Sequence, residues 1–167
     1  MMATASYFKQ HYAMLPHPEG GWYRETYRSK ETIQSPDQSD QFPNNRSYAT
    51  AIYFLLEQGQ FSAFHKIKSD ECWHFYAGDP LDVLMIDQFN KLTITTLGPN
   101  AEAGEVFQFV VPANTWFASR PATGSTFSFV GCTVAPGFDF ADFELADATS
   151  LTAAFPEHAD TIRALCR

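Results

Sequence analysis

Over most of its length the chain alternates apolar and polar residues with a period of two, and glycine, proline, asparagine and aspartate interrupt the alternation at short intervals. Trp22–Arg28 (WYRETYR) sets Trp22, Arg24, Thr26 and Arg28 against Tyr23, Glu25 and Tyr27, the pattern of a strand with two distinct faces. Residues 47–56 (SYATAIYFLL) begin in alternation and end in a continuous apolar run, which predicts a strand that becomes buried on both faces. Further strands are predicted over 61–66, 71–76, 81–86, 91–96, 105–111, 115–119 and 126–133, with a last short one within 135–140 (APGFDF). Polar or proline-bearing turns separate them.

The helical signals are short and terminal. Tyr7, Phe8, Tyr12 and Met14 lie at helical spacing within 5–14, and the prolines and glycines of 15–21 (LPHPEGG) stop that helix. Asp147 caps a helix beginning near Ala148, and Pro156 opens a final one running through Ile162 to Leu165. Residues 29–45 are rich in Ser, Asp, Gln, Asn and Pro, a long loop that suits a lid, a dimer contact or plain mobility. Many short strands without a long helix between them predict an all-β, antiparallel sandwich or barrel with short N- and C-terminal helices. No repeat or linker divides the chain, so residues 1–167 are read as a single domain.

Composition narrows the partners. A chain of 167 residues can bury about 70% of the surface its unfolded form exposes. Sixteen Phe and seven Tyr suit pleated, half-buried surfaces. A net charge of −8 argues against nucleic acid and an acidic membrane surface, since phosphate backbones need dense Lys and Arg patches. The three cysteines are odd in number and widely spaced, and the N-terminus lacks a cationic region followed by an apolar core, so a cytoplasmic location is expected. No run approaches the ~20 apolar residues that span a bilayer.

The most specific stretch is 59–78, GQFSAFHKIKSDECWHFYAG. It follows Gly, five residues, His, one residue, Ile, three residues, Glu, six residues, Gly, at Gly59, His65, Ile67, Glu71 and Gly78. The first cupin motif has this spacing with a second His where Ile67 stands. In the region of the second motif Pro112 matches, whereas Asn114 replaces a Gly and Phe117 a His. On these residues the chain resembles the cupin superfamily. The phrases HPEGGWYRETYRS, SDECWHFYAGDPLDV, VPANTWFAS and VAPGFDFADFELAD are similar to a family of small, single-barrel cupins without a settled activity. The resemblance implies a double-stranded β-helix, or jelly-roll barrel, that pairs as a homodimer. It also implies a ligand-sized pocket, in a shape related to the metal-independent dTDP-sugar 3,5-epimerases.

Three classes of function stay open. The first is a small-molecule-binding protein in which His65 and Glu71 satisfy one another in an apolar barrel. The second is a metal-independent epimerase or isomerase of a sugar or nucleotide sugar, with His65 as base, Glu71 orienting it and Tyr53 as the complementary acid. The third is a metal-dependent enzyme with an irregular ligand set. Only His65 and Glu71 remain of the superfamily's ligands, fewer than the three a catalytic metal ordinarily needs, so no cofactor is expected.

Strand parity supplies the pocket. With His65, Glu71 and Phe117 inward, Ala63, Ile67, Trp73, Phe75, Thr115 and Ser119 share the interior, while His74 and Trp116 face away. A bulge would reverse the reading for His74. Arg24 becomes an anion holder if its face points into the barrel and an ordinary solvated charge if it does not. The Glu19-Gly20-Gly21 turn reads as a backbone requirement, since no strand-then-helix context makes it a phosphate cradle. Strand Trp22–Arg28 is suited to cross to a second subunit.

Overall fold

The computed structural model describes residues 3–34, 42 and 44–167. In chain order the first elements are helix α1 (Ala5–His11) and strands β1 (Leu15–Pro16), β2 (Trp22–Arg28), β3 (Thr32–Ile33), β4 (Arg46–Ser47), β5 (Thr50–Glu57) and β6 (Ser62–Lys66). There follow β7 (Asp70–Gly78), β8 (Leu81–Ile86), β9 (Leu92–Leu97), β10 (Gln108–Val111), β11 (Trp116–Pro121) and β12 (Phe127–Ala135). The chain closes with β13 (Glu144–Leu145), α2 (Ala148–Ala154) and α3 (Ala159–Ala164).

Among the described residues the strands form two larger sheets, ordered β1-β2-β5-β12-β7-β10 and β13-β6-β11-β8-β9, and a small β3-β4 pair. All ladders between these strands are antiparallel. The two sheets face one another as a jelly-roll sandwich, the all-β class that the alternating pattern predicts.

Three apolar clusters hold this arrangement. Between the sheets Phe54, Leu56, Trp73, Leu81, Val83, Phe117 and Val130 are almost fully buried. Outside the five-stranded sheet, Phe64, Leu84, Ile86 and Ala118 pack under Leu151, Ile162 and Leu165 of the C-terminal helices. Outside the six-stranded sheet, Leu55 and Phe129 pack under Phe8 of α1 and Met14. The continuous apolar run at the end of β5 is thus needed on both of its faces. Thr4 caps α1 and Asp147 caps α2, each accepting a backbone N–H with its side chain.

Two sequence expectations change here. Residues 135–140, expected to turn into a last short strand, instead leave β12 at Ala135 and run irregularly into a 3₁₀ turn at Phe140–Asp142 before β13 pairs with β6. The buried Arg46 guanidinium grips Asp142 with two bonds, Nε–Oδ2 at 2.6 Å and Nη2–Oδ1 at 2.8 Å, and pins that segment. The long loop over 29–45 is interrupted by β3, which pairs with β4; part of that loop lies outside the described residues.

Strand β2 pairs with β5 of its own chain. Its register shifts between Glu25 and Tyr27, an extra residue at Thr26 that turns Arg28 onto the face shared by Tyr23 and Glu25. A second irregularity separates the pairs Ser119↔Ser62 and Phe117↔His65, so two residues of β6 stand opposite Ala118 alone. Both bulges decide what reaches the interior.

Candidate functional site

Between the sheets lies a cavity of about 480 Å³, at the end formed by the starts of β5 and β7 and the closing residues of β2 and β12. Its walls are Tyr23, Ile52, Phe54, Ile67 and Val134; its polar groups are His17, Glu19, Thr50, His65, Glu71 and Cys132. At the mouth stand Glu25, Arg28, Phe138, Asp139 and Phe140.

Glu19 is placed by its neighbours in sequence. Gly20 and Gly21 have φ of +120° and +71°, values that a side chain resists, and they reverse the chain between β1 and β2. The reversal is closed by Gly20 N–H to His17 O and His17 N–H to Gly21 O, both 3.0 Å. It is tied to β6 where Ala63 N–H donates to Glu19 O at 2.9 Å. The β6 bulge then turns both Ser62 and His65, three residues apart, toward the Glu19 carboxylate. Ser62 Oγ donates to Oε1 at 2.9 Å, and His65 Nε2 lies 3.2 Å from Oε2.

The second nitrogen of His65, Nδ1, lies 2.7 Å from Ala63 O. A carbonyl only accepts, so Nδ1 carries a proton. At 3.2 Å, Nε2 and Glu19 Oε2 bond when one proton lies between them, either as imidazolium and carboxylate or as imidazole and carboxylic acid. In both states the His65 lone pair is engaged. His17 Nδ1 lies 3.5 Å from Glu19 Oε2 and faces the Glu19 N–H, a long contact of 3.4 Å, which fits a neutral ring.

Burial sets the electrostatics. Desolvation lowers the pKa of His65, against the raising effects of Glu71 and the Ala63 carbonyl. It lowers that of His17 too. It raises Glu19, partly offset by His17 and Ser62, and raises Glu71 to about 7, opposed by His65 and reinforced by Glu19. The Cys132 thiol donates to Glu71 and is itself held well above its ordinary value by burial and that carboxylate. Glu71 thus changes protonation state near neutrality.

The residues singled out from the sequence separate into several places. His65, Glu71 and Ile67 line the cavity. Ala63 does not, because it sits in the bulge, using its N–H and C=O to hold Glu19 and His65. Trp73 and Phe117 face the interior as parity requires, yet they fill it: their rings meet edge to face at 6.1 Å and close that half of the barrel. Phe75 packs against the same cluster, and Ser119 is fully buried outside the cavity lining. Thr115 belongs to the turn before β11 and is likewise outside the lining.

Two expectations are corrected outright. Arg24 is exposed on the face opposite Tyr23 and Glu25, so the cavity-facing arginine is Arg28. Tyr53 lies outside the six-stranded sheet, its ring 4.5 Å from Tyr12 and 5.2 Å from Phe129, where it cannot serve as the acid for a ligand inside. Tyr23 is the phenol that lines the cavity. His74 stays on the outer side, between Thr133 and Gln108, because the β7 irregularity falls beyond it, between Phe75 and Ala77.

A metal does not fit this donor set. Ile67 and Phe117 offer no lone pair where the superfamily's histidines stand, and the Phe117 ring centroid packs 4.1 Å from that of His65. Among the described residues no group of three or more His, Cys, Asp or Glu side chains is arranged to hold a metal ion.

Glu19, His17, Tyr23 and Arg28 were not singled out as site residues from the sequence. The available signal was the phrase HPEGGWYRETYR itself, in which two glycines that look like a mere turn aim the preceding glutamate inward.

The fold and cavity define a cupin-type barrel with a ligand-sized, carboxylate-rich interior. The chain belongs to the family described as Cupin superfamily (DUF985), whose model matches residues 6–146. It is similar to a protein from Shewanella oneidensis, SO0799, at 39% identity and a TM-score of 0.88, covering 99% of each chain. A hypothetical protein from Leishmania major matches at 32% identity and a TM-score of 0.88, over 98% of this chain and 99% of that one. An uncharacterized yeast protein, YML079W of Saccharomyces cerevisiae, is 28% identical over 77% of this chain and 68% of its own length. Oxalate decarboxylase of Bacillus subtilis shares the fold alone, at 15% identity and a TM-score of 0.55, over 90% of this chain and 36% of that one. Among the described residues no helix is long and apolar enough to cross a membrane.

Proposed function

We propose that the chain is a small-molecule-binding cupin that moves a proton on a sugar-like ligand without a metal, as an epimerase or isomerase. The observation that carries this reading is the buried Glu19–His65 pair, 3.2 Å apart beside Glu71 in the cavity between the sheets. Perturbed, converging acid and base groups in a pocket of this size are what proton transfer requires.

The roles differ from those the first motif suggests. His65 has both nitrogens engaged, so the ligand-facing base is Glu71, whose two protonation states are both populated near pH 7. Glu71 removes a proton from a carbon beside a carbonyl, and the electron pair moves to the carbonyl oxygen. That oxygen takes up a proton from solvent entering with the ligand and gives it back as the carbonyl re-forms. Return of a proton to the same carbon from the other face gives an epimer; return to the neighbouring carbon gives an isomer. Tyr23, in the wall, is the group to deliver it from the second face.

Incubation with a panel of keto sugars in D₂O tests this reading, with deuterium incorporation followed by mass spectrometry. Wild-type protein is expected to exchange a proton beside the carbonyl. Glu71→Gln should slow that exchange by about 10²-fold or more, and Tyr53→Phe should leave it within twofold. A sugar that binds without any exchange would overturn catalysis and leave a binding protein.

A further inference from the structure

The charges around the cavity are lopsided. Four carboxyl groups line it, Glu19, Glu25, Glu71 and Asp139. All eleven Lys and Arg residues of the chain lie among the described residues, and of these Arg28 alone is in the lining.

Arg28 is already committed. Its Nε and Nη2 donate to the two oxygens of Glu25 at 3.1 and 2.7 Å, and Nη1 donates to Phe138 O at 3.1 Å. The fork that would grip a phosphate is closed on an internal carboxylate. A phosphate entering would meet Glu71 and Asp139, and the two guanidinium groups near Asp139, Arg28 and Arg46, are already bonded to Glu25 and Asp142, so its charge finds repulsion without a free fork to grip it.

The same lining suits hydrogen-bond donors. Glu71 is 8% exposed and opens into the cavity with the Cys132 thiol as its partner, which leaves acceptor capacity for a ligand. Tyr23 and Phe54 in the wall and Phe138 and Phe140 at the mouth add flat apolar surface. Sugar hydroxyls donate to carboxylates, and the C–H faces of a ring lie well on aromatic side chains.

We infer that the cavity takes an unphosphorylated, hydroxyl-rich neutral molecule and discriminates against sugar phosphates and nucleotide sugars. The inference rests on the sugar-like reading of the cavity and specifies its class.

Saturation-transfer NMR and calorimetry with matched pairs test it: D-fructose, D-glucose, D-mannose and D-galactose, the 6-phosphate of each, and dTDP-glucose. At least one free sugar is expected to bind ten times more tightly than its own phosphate. Glu25→Gln releases Arg28 and should shrink that ratio at least tenfold; the exposed Glu25–Arg28 pair contributes little to folding, so the variant remains folded. A phosphate or dTDP-glucose that binds wild type as tightly as the free sugar would overturn the inference, as would a panel in which nothing binds. Free-sugar binding without deuterium exchange would instead sink proton transfer and leave the ligand class standing.

Discussion

Glu71 links the chemistry of the cavity to the stability of the chain. Its pKa of about 7 in the folded protein exceeds the 4.5 of an unperturbed carboxyl. Between those values the folded state keeps a proton that the unfolded state has lost, so this group's contribution to stability falls as pH rises from about 4.5 to about 7. Glu19, also raised, acts with the same sign. His17 and His65, both lowered, act oppositely, since the unfolded chain protonates them first as pH falls below 6.5. The difference between Glu71→Gln and wild type reads the contribution of Glu71 together with its coupling to His65. Denaturant melts should show the variant gaining on wild type across pH 4.5 to 7, by on the order of 3 kcal/mol at most, and no further change above. A constant difference across that window would mean that Glu71 titrates normally.

The turn between β1 and β2 and the two bulges determine which side chains meet. Parity along β6 places Ala63 inside with His65, and it fails there because the bulge turns Ser62 inward in its place. Parity along β2 separates Arg28 from Tyr23 and Glu25, and the extra residue at Thr26 reunites them. No residue type in either strand announces the irregularity. The turn is more legible, since paired glycines mark a positive φ. A Cβ on Gly20 would collide with the Phe61 carbonyl, while one on Gly59, at φ +80°, would meet nothing within 4 Å. Gly20→Ala is therefore expected to cost about 2–4 kcal/mol and to lose ligand binding. Gly59→Ala should cost only the conformational ~1–2 kcal/mol. Chemical denaturation of both variants measures the contrast, and equal losses would show that the close approach to Phe61 is unimportant.

Over the mouth, the segment from Phe138 to Phe143 is held to the body by the buried Arg46–Asp142 pair. Arg46→Ala leaves Asp142 uncompensated, with an expected loss of about 3–5 kcal/mol and weaker sugar binding. Replacing both partners with apolar residues should recover much of that stability, which a thermal melt would show. Assembly is a separate matter. Strand β1 covers only Trp22 and Tyr23 of β2, so the edge from Arg24 to Arg28 stays open in the described chain. We propose that a second copy pairs there to form a homodimer. Sedimentation velocity at micromolar concentration should give a dimer, and a monomer would refute it.

The all-β class, the terminal helices and the inward placement of His65, Ile67 and Glu71 were legible because they depend on local periodicity and on spacing within one hairpin. The partner of His65 was not. Glu19 lies 46 residues away in sequence and reaches His65 only through a positive-φ turn, a bulge in β6 and the docking of one on the other. Likewise, aromatic bulk at Trp73 and Phe117 closes half of the barrel, and that volume is settled by how two sheets pack rather than by either strand. Hence the motif names the fold and two groups of the cavity. The Glu19–His65 contact, the engaged histidine and the committed arginine arise from contacts between segments distant in the chain, which no single stretch of residues encodes.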